Sequence, residues 1–262
     1  MRDALYPILH EILGDHKGGR VFRCFDAWHL FLIFLFIALT ALVYIMLKGK
    51  GEERRRRVLD MLIGACFSLY ILDFFLMPFA YEEIDIEKLP FHICTAMCVM
   101  CFLSGKISWL RNYRVHFALL AFISNFVYLV YPAGVMWHQV HPFSYRVIQT
   151  LCFHGLMTVY GFNAVVFDEE GLKWKTCRRD LIVLIGMVIW ALIGNYMYNG
   201  TAGNYSRFHN WFFVVEDPFG MLDPGISPFV MPFLNILVFF GVEMVLYPLF
   251  MRLSETAPEE MT

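Results

Sequence analysis

Seven apolar stretches of roughly bilayer-crossing length follow one another along the chain, and they leave few folds open. They read as Ala27–Leu47, Val58–Ala80, Leu89–Ser104, Val115–Tyr131, Arg146–Phe167, Leu181–Tyr198 and Pro228–Phe250. Each approaches the roughly 20 residues a helix needs to cross a hydrocarbon core about 30 Å thick. Lipid offers no partner to open backbone groups, so all seven are expected to be helices. Pro90 falls in the first turn of the third and shortest stretch, where proline is tolerated. The expected fold is all-α: a single seven-transmembrane-helix bundle over residues 1–262. Composition agrees, because 59% hydrophobic and 18% aromatic residues exclude an ordinary soluble domain. The seven cysteines lie mostly inside the stretches, which argues against a secreted disulfide framework. The first 26 residues mix charges with His and Gly, so no cleavable signal peptide is expected.

Charge orients the bundle. Lys48, Lys50 and Arg54–Arg57 follow the first stretch; Lys106, Arg111 and Arg114 follow the third; Lys173, Lys175, Arg178 and Arg179 follow the fifth; Arg252 follows the seventh. That side carries 14 of the 21 basic residues, so the positive-inside rule puts the N-terminus outside and the C-terminus inside. The outer side then holds the mostly acidic loop Tyr81–Lys88 and the long loop Asn199–Ser227. The long loop contains two glycosylation-type tripeptides, Asn199-Gly-Thr201 and Asn204-Tyr-Ser206, and an aromatic run, Trp211-Phe212-Phe213, that can lie at the interface or cap the bundle. The Arg54–Arg57 run is a topology anchor that can also meet anionic lipid.

Polar groups inside such spans are costly, which makes the few present the functional candidates. At about 1.5 Å per residue, Asp73, His92, Cys94, Asn125, His154, Asn195 and Asn235 fall in one slab roughly 5–12 Å below the outer surface. His29 can join them. One polar group per helix is explained either by interhelical hydrogen bonding or by a shared outward-opening cavity. The inner half holds fewer: Asp60, His116, Asn163 and Glu243.

The densest local chemistry is Leu89-Pro90-Phe91-His92-Ile93-Cys94. A thiol needs a base, and His154 at matching depth is a better partner for Cys94 than His92, which a regular helix would point elsewhere. Cys94 and His154 then suit nucleophilic acyl transfer, with His92 orienting substrate or polarising a carbonyl and Asp73 or an asparagine fixing the histidine tautomer. Two rival readings use the same residues. Cys94, Cys98 and Cys101 have the Cys-x3-Cys-x2-Cys spacing of cluster-binding enzymes, although small residues on one helix face usually allow close packing. His29, His92 and His154 would give a zinc hydrolase three imidazole ligands.

The Leu89–Cys94 segment resembles the Leu-Pro-x-His-x-Cys motif of the YwaF-like (TP0381-type) integral membrane proteins. Phe153-His154-Gly155, Gly194-Asn195-Tyr196-Met197-Tyr198 and the Asp217-Pro218 to Pro224 stretch are similar to that family in order and spacing. The family is related to the transmembrane protein 164 acyltransferases, which move polyunsaturated acyl chains onto ether phospholipids through a cysteine. The resemblance implies Cys94 as acyl acceptor and His154 or His92 as base.

The expected function is a membrane-embedded acyltransferase acting on membrane phospholipid, with Cys94, His154 and His92 catalytic and Asp73, Asn125, Asn195 and Asn235 binding substrate or supporting. No metal, cofactor or nucleic-acid partner is expected. The membrane is the plasma membrane of a bacterium or a secretory-pathway membrane of a eukaryote. The alternative is a transporter or receptor whose outer cavity binds a small ligand; a retinal receptor is not expected, because the seventh stretch has no lysine.

Overall fold

The computed structural model describes residues 2–14, 19–80, 86–136, 138–168, 171–199, 210–218 and 220–255. Both glycosylation-type tripeptides run into residues outside this set, as do 81–85 of the acidic loop. The described residues form ten α-helices: α1 Arg2–Leu13, α2 Ala27–Leu47, α3 Glu52–Ala80, α4 Ile93–Ser104, α5 Ser108–Arg111, α6 Arg114–Val130, α7 Ala133–Met136, α8 Tyr145–Val166, α9 Arg178–Asn199 and α10 Ser227–Glu255. No strand occurs among them.

Local chemistry sets the ends. Asp26 caps α2, its carboxylate accepting the His29 backbone N–H at 2.9 Å. Gly49, at φ 76°, takes the left-handed conformation just past the other end. Glu52 and Glu53 place negative charge on the first turn of α3, and Glu53 pairs with Arg57 one turn on at 2.7 Å. Ser144 Oγ accepts the Val147 N–H at the start of α8, and Pro132 closes off α6.

Among the described residues, five helical segments are long and apolar enough to cross a membrane: Ala27–Leu47, Glu52–Ala80, Arg114–Met136 (α6 continued through α7), Trp174–Tyr198 (most of α9 with the turn before it) and Ser227–Glu255. α4 is apolar but has only 12 residues, about 18 Å of rise, well short of a hydrocarbon core. It starts at Ile93 rather than Leu89. Pro90 has no N–H, the Phe91 N–H turns back onto Leu89 O at 2.7 Å, and His92 is extended at φ −75°, ψ 144°, so residues 89–92 form a turn. α8 has 22 residues and the length to cross, but Gln149, Thr150, His154, Thr158 and Asn163 interrupt its apolar character.

The described residues fall into two compact units, one within Met1–Ile86 and Ala121–Asn163, the other within Glu87–Leu120 and Ala164–Pro258. The first is built around Leu32, Ile33 and Phe36 of α2, Leu129 of α6 and Val147, Leu151 and Val159 of α8. Gly155 lets the Phe36 ring lie directly on the α8 backbone, where any Cβ would overlap it. Asn163 Nδ2 donates to Thr40 O at 3.3 Å across the same helix pair. Lipid tails remove most of the hydrophobic drive between helices, so such close packing and hydrogen bonds carry the association.

The second unit repeats the device. Gly194 of α9 receives the Phe91 ring, and again a Cβ would overlap it. A buried polar cluster ties α6, α9 and α10 together: Asp180 accepts from His116 Nδ1 at 2.6 Å and from the Tyr247 hydroxyl. Arg114 and Asp168 pair at 3.2 Å.

Candidate functional site

In the second unit, the turn before α4 is pinned from two sides. Trp190 Nε1 donates to Pro90 O at 2.6 Å, and the Phe91 ring packs against Trp190 and Trp211, both at 5.0 Å between centroids. The anchored turn delivers Cys94 as the second residue of α4, where it is buried. Ala96 N–H makes the first intrahelical bond, to His92 O at 2.9 Å. The N–H groups of Ile93, Cys94 and Thr95 thus precede the ladder, as they do at any helix start. His92 stands just outside the helix with its ring half-exposed, Nε2 lying 3.8 Å from a Glu87 carboxylate oxygen. Cys98 and Cys101 lie buried further along α4.

Asn195 and Asn235 serve one segment. Asn195 Oδ1 accepts the Trp211 N–H at 3.0 Å, and its Nδ2 donates to Trp211 O at 3.1 Å. Asn235 Nδ2 donates to Phe213 O at 3.0 Å. The strap they hold, Trp211–Phe213, buries Trp211 completely and keeps Phe212 and Phe213 left-handed at φ 57° and 51°. That conformation costs a non-glycine residue roughly 1–2 kcal/mol. Trp211 and Phe212 of the aromatic run therefore pack inward in this unit, while Phe213 stays exposed.

In the first unit, His154 lies mid-way along α8 and is 7% exposed. Its Nδ1 is 2.7 Å from Asn125 Oδ1, and the Tyr128 ring stacks over it at 4.0 Å and 23°. Asp73, also buried, accepts the Tyr145 hydroxyl at 3.1 Å. Of the two groups expected to fix the histidine tautomer, the asparagine holds the position beside the imidazole. His29 is spent on backbone: Nδ1 accepts the Phe25 N–H at 2.9 Å and Nε2 donates to Leu129 O at 2.8 Å. Both of its nitrogens are committed, which takes it out of the zinc alternative. Among the described residues, no three His, Cys, Asp or Glu side chains group as metal ligands.

The family model for TMEM164 matches residues 24–253. The chain belongs to the TMEM164 family. It is a multi-pass integral membrane protein, and the relation to transmembrane protein 164 implied by its motifs is borne out over most of its length. No curated protein and no solved structure matches it. Within this TMEM164-family chain, the two resemblance-bearing glycines each make room for an aromatic ring. Gly155 admits Phe36 and Gly194 admits Phe91, one residue beside His154 and Asn195 respectively.

Sequence reasoning passed over Tyr128, Tyr145, Asp180 and Tyr247. Tyr128 was within reach, since it lies three residues after Asn125 and so shares its helix face. Asp180 carried no signal, because an acid at a helix start beside four basic residues reads as solvated.

Proposed function

We propose that this TMEM164-family protein is an acyltransferase that moves fatty acyl chains between membrane phospholipids, with Cys94 as nucleophile and His154 as base. The observation that carries the reading is the position of Cys94 in the first turn of α4, fixed by a turn that is itself anchored through Pro90 and Phe91. Backbone N–H groups ahead of a helix ladder are donors suited to the oxyanion of a tetrahedral intermediate. The cysteine-dependent acyl transfer implied by the family resemblance supplies the reaction class.

The Cys94 sulfur attacks an ester carbonyl of the donor phospholipid while His154 takes the thiol proton. The tetrahedral intermediate collapses as the glycerol oxygen leaves with that proton, giving an acyl thioester on Cys94 and a lysophospholipid. A hydroxyl of the acceptor lysophospholipid then attacks the thioester, surrenders its proton to His154, and releases the Cys94 sulfur, which is reprotonated. His92, half-exposed and outside the helix, suits substrate orientation.

The topology belonging to this reading has seven crossings, with the N-terminus outside and the C-terminus inside. The uneven distribution of Lys and Arg supports it. The short α4 crosses shielded by protein, where irregular backbone such as residues 89–92 is tolerated at membrane depth.

The test is acyl exchange in vesicles reconstituted with the purified protein and a labelled diacyl phospholipid plus a lysophospholipid acceptor. Cys94→Ala abolishes exchange while the protein keeps its thermal unfolding profile. Unchanged exchange in that variant removes the reading.

A further inference from the structure

We infer that Asn125 is a positioning residue that locks His154 in the Nδ1–H tautomer and so leaves the Nε2 lone pair as the base; this rests on the acyl-transfer reading above. A carbonyl that can only accept sets the orientation of the Asn125 amide. Asn125 Nδ2 lies 2.8 Å from Ala121 O and 3.5 Å from Ser124 Oγ. Ala121 O has no proton to give, so the amide nitrogen faces it and the amide oxygen faces the histidine. Asn125 Oδ1 likewise has no proton, and at 2.7 Å from His154 Nδ1 it must accept from an N–H there. In the neutral ring the other nitrogen, Nε2, then carries the lone pair.

His29 shows that this is a property of the surroundings and not of histidine in this unit. There the Phe25 backbone N–H donates to Nδ1 at 2.9 Å, forcing the proton onto Nε2, which donates to Leu129 O. The two imidazoles are held in opposite tautomers by neighbours with no freedom to reverse. Of the two, His154 alone has the form in which Nε2 accepts a proton.

The ring is also fixed in plane. Asn125 and Tyr128 lie three apart on α6, so one helix face supplies both the hydrogen bond and the stacking ring at 4.0 Å. Asn125 is fully buried, so no water competes for its oxygen. An uncharged amide does this work without burying a carboxylate, whose desolvation is costly. The arrangement places a neutral orienter behind a base that would serve a nucleophile, the logic by which triads are recognised on unrelated folds.

The test reads the tautomer directly, apart from turnover. Protein labelled with 15N-histidine in lipid bilayers is compared with His154→Gln to assign the His154 signals. Wild type shows His154 protonated at Nδ1 and His29 at Nε2. In Asn125→Leu, His154 loses the pure Nδ1–H form while His29 keeps its own, and kcat for acyl exchange falls about 100-fold, the scale of general-base catalysis, with KM little changed. Asn125→Asp, which keeps an accepting oxygen, retains the Nδ1–H tautomer and serves if Asn125→Leu fails to fold. An Nε2–H signal for wild-type His154, or an unaltered tautomer in Asn125→Leu, overturns the inference whatever the protein catalyses. Full kcat in Asn125→Leu, where Cys94→Ala is inactive, overturns the positioning role alone. Exchange that survives Cys94→Ala strikes the acyl-transfer reading instead, and with it the role given to the tautomer.

Discussion

Asn195 grips both polar ends of Trp211, taking its backbone N–H at 3.0 Å and donating to its carbonyl at 3.1 Å. A single side chain thereby meets both the donor and the acceptor of one residue's backbone, as a paired strand would. Neither half is dispensable, because a buried backbone group left unpaired costs about 1–3 kcal/mol.

Asn195→Leu is therefore expected to lower stability by on the order of 2 kcal/mol or more and to release the strap, whose left-handed Phe212 and Phe213 are held against their own preference. Limited proteolysis at 210–214 checks this, with cleavage in the variant under conditions that spare wild type. Asn235→Ala, at a more exposed bond, has the smaller effect.

Gly194→Leu drives a side chain into the space of the Phe91 ring. Overpacking of this kind typically costs about 1–3 kcal/mol. Phe91 lies three residues before Cys94, so the displaced turn raises the rate at which Cys94 reacts with a maleimide. Thermal unfolding and mass-spectrometric readout of the modified thiol measure both effects.

Much of the helix layout was open to sequence reasoning, and particular residues show why. A continuous apolar run bounded by Asp26 and by Lys48-Gly49 leaves α2 no other ends, and the run ahead of Pro132 does the same for α6. The start of α4 was not readable, because Pro90 fits a helical first turn and a preceding turn equally well. The choice is made by Trp190 donating to Pro90 O and by Phe91 settling on Gly194, contacts 100 or more residues away in the chain. The candidate site divides along the same line. Depth along a helix picked out Asn125, Asn195 and Asn235, but not what each amide meets: an imidazole for the first, the backbone of a returning loop for the other two. The Asp180 partners, His116 and Tyr247, lie 64 and 67 residues away, so only the fold could reveal the cluster.

That cluster gives a further prediction. Asp180→Leu strands the His116 and Tyr247 donors in a buried place, and breaking a buried pair by removing one partner costs about 3–5 kcal/mol. Adding His116→Leu recovers part of the loss. A double-mutant cycle on thermal unfolding shows a coupling between the two positions well above the few tenths of a kcal/mol expected of independent sites. Simple additivity would contradict the account of Asp180 as the shared acceptor.

Everything proposed for the reaction passes through one covalent species. Vesicles holding the purified protein are given a phospholipid with an alkyne-tagged acyl chain and no acceptor, then quenched in acid and digested for mass spectrometry. The account predicts a tagged acyl group on the peptide containing Cys94, released by hydroxylamine and absent from Cys94→Ser and His154→Ala. Acyl exchange that proceeds at the normal rate with no such adduct on Cys94 would contradict it.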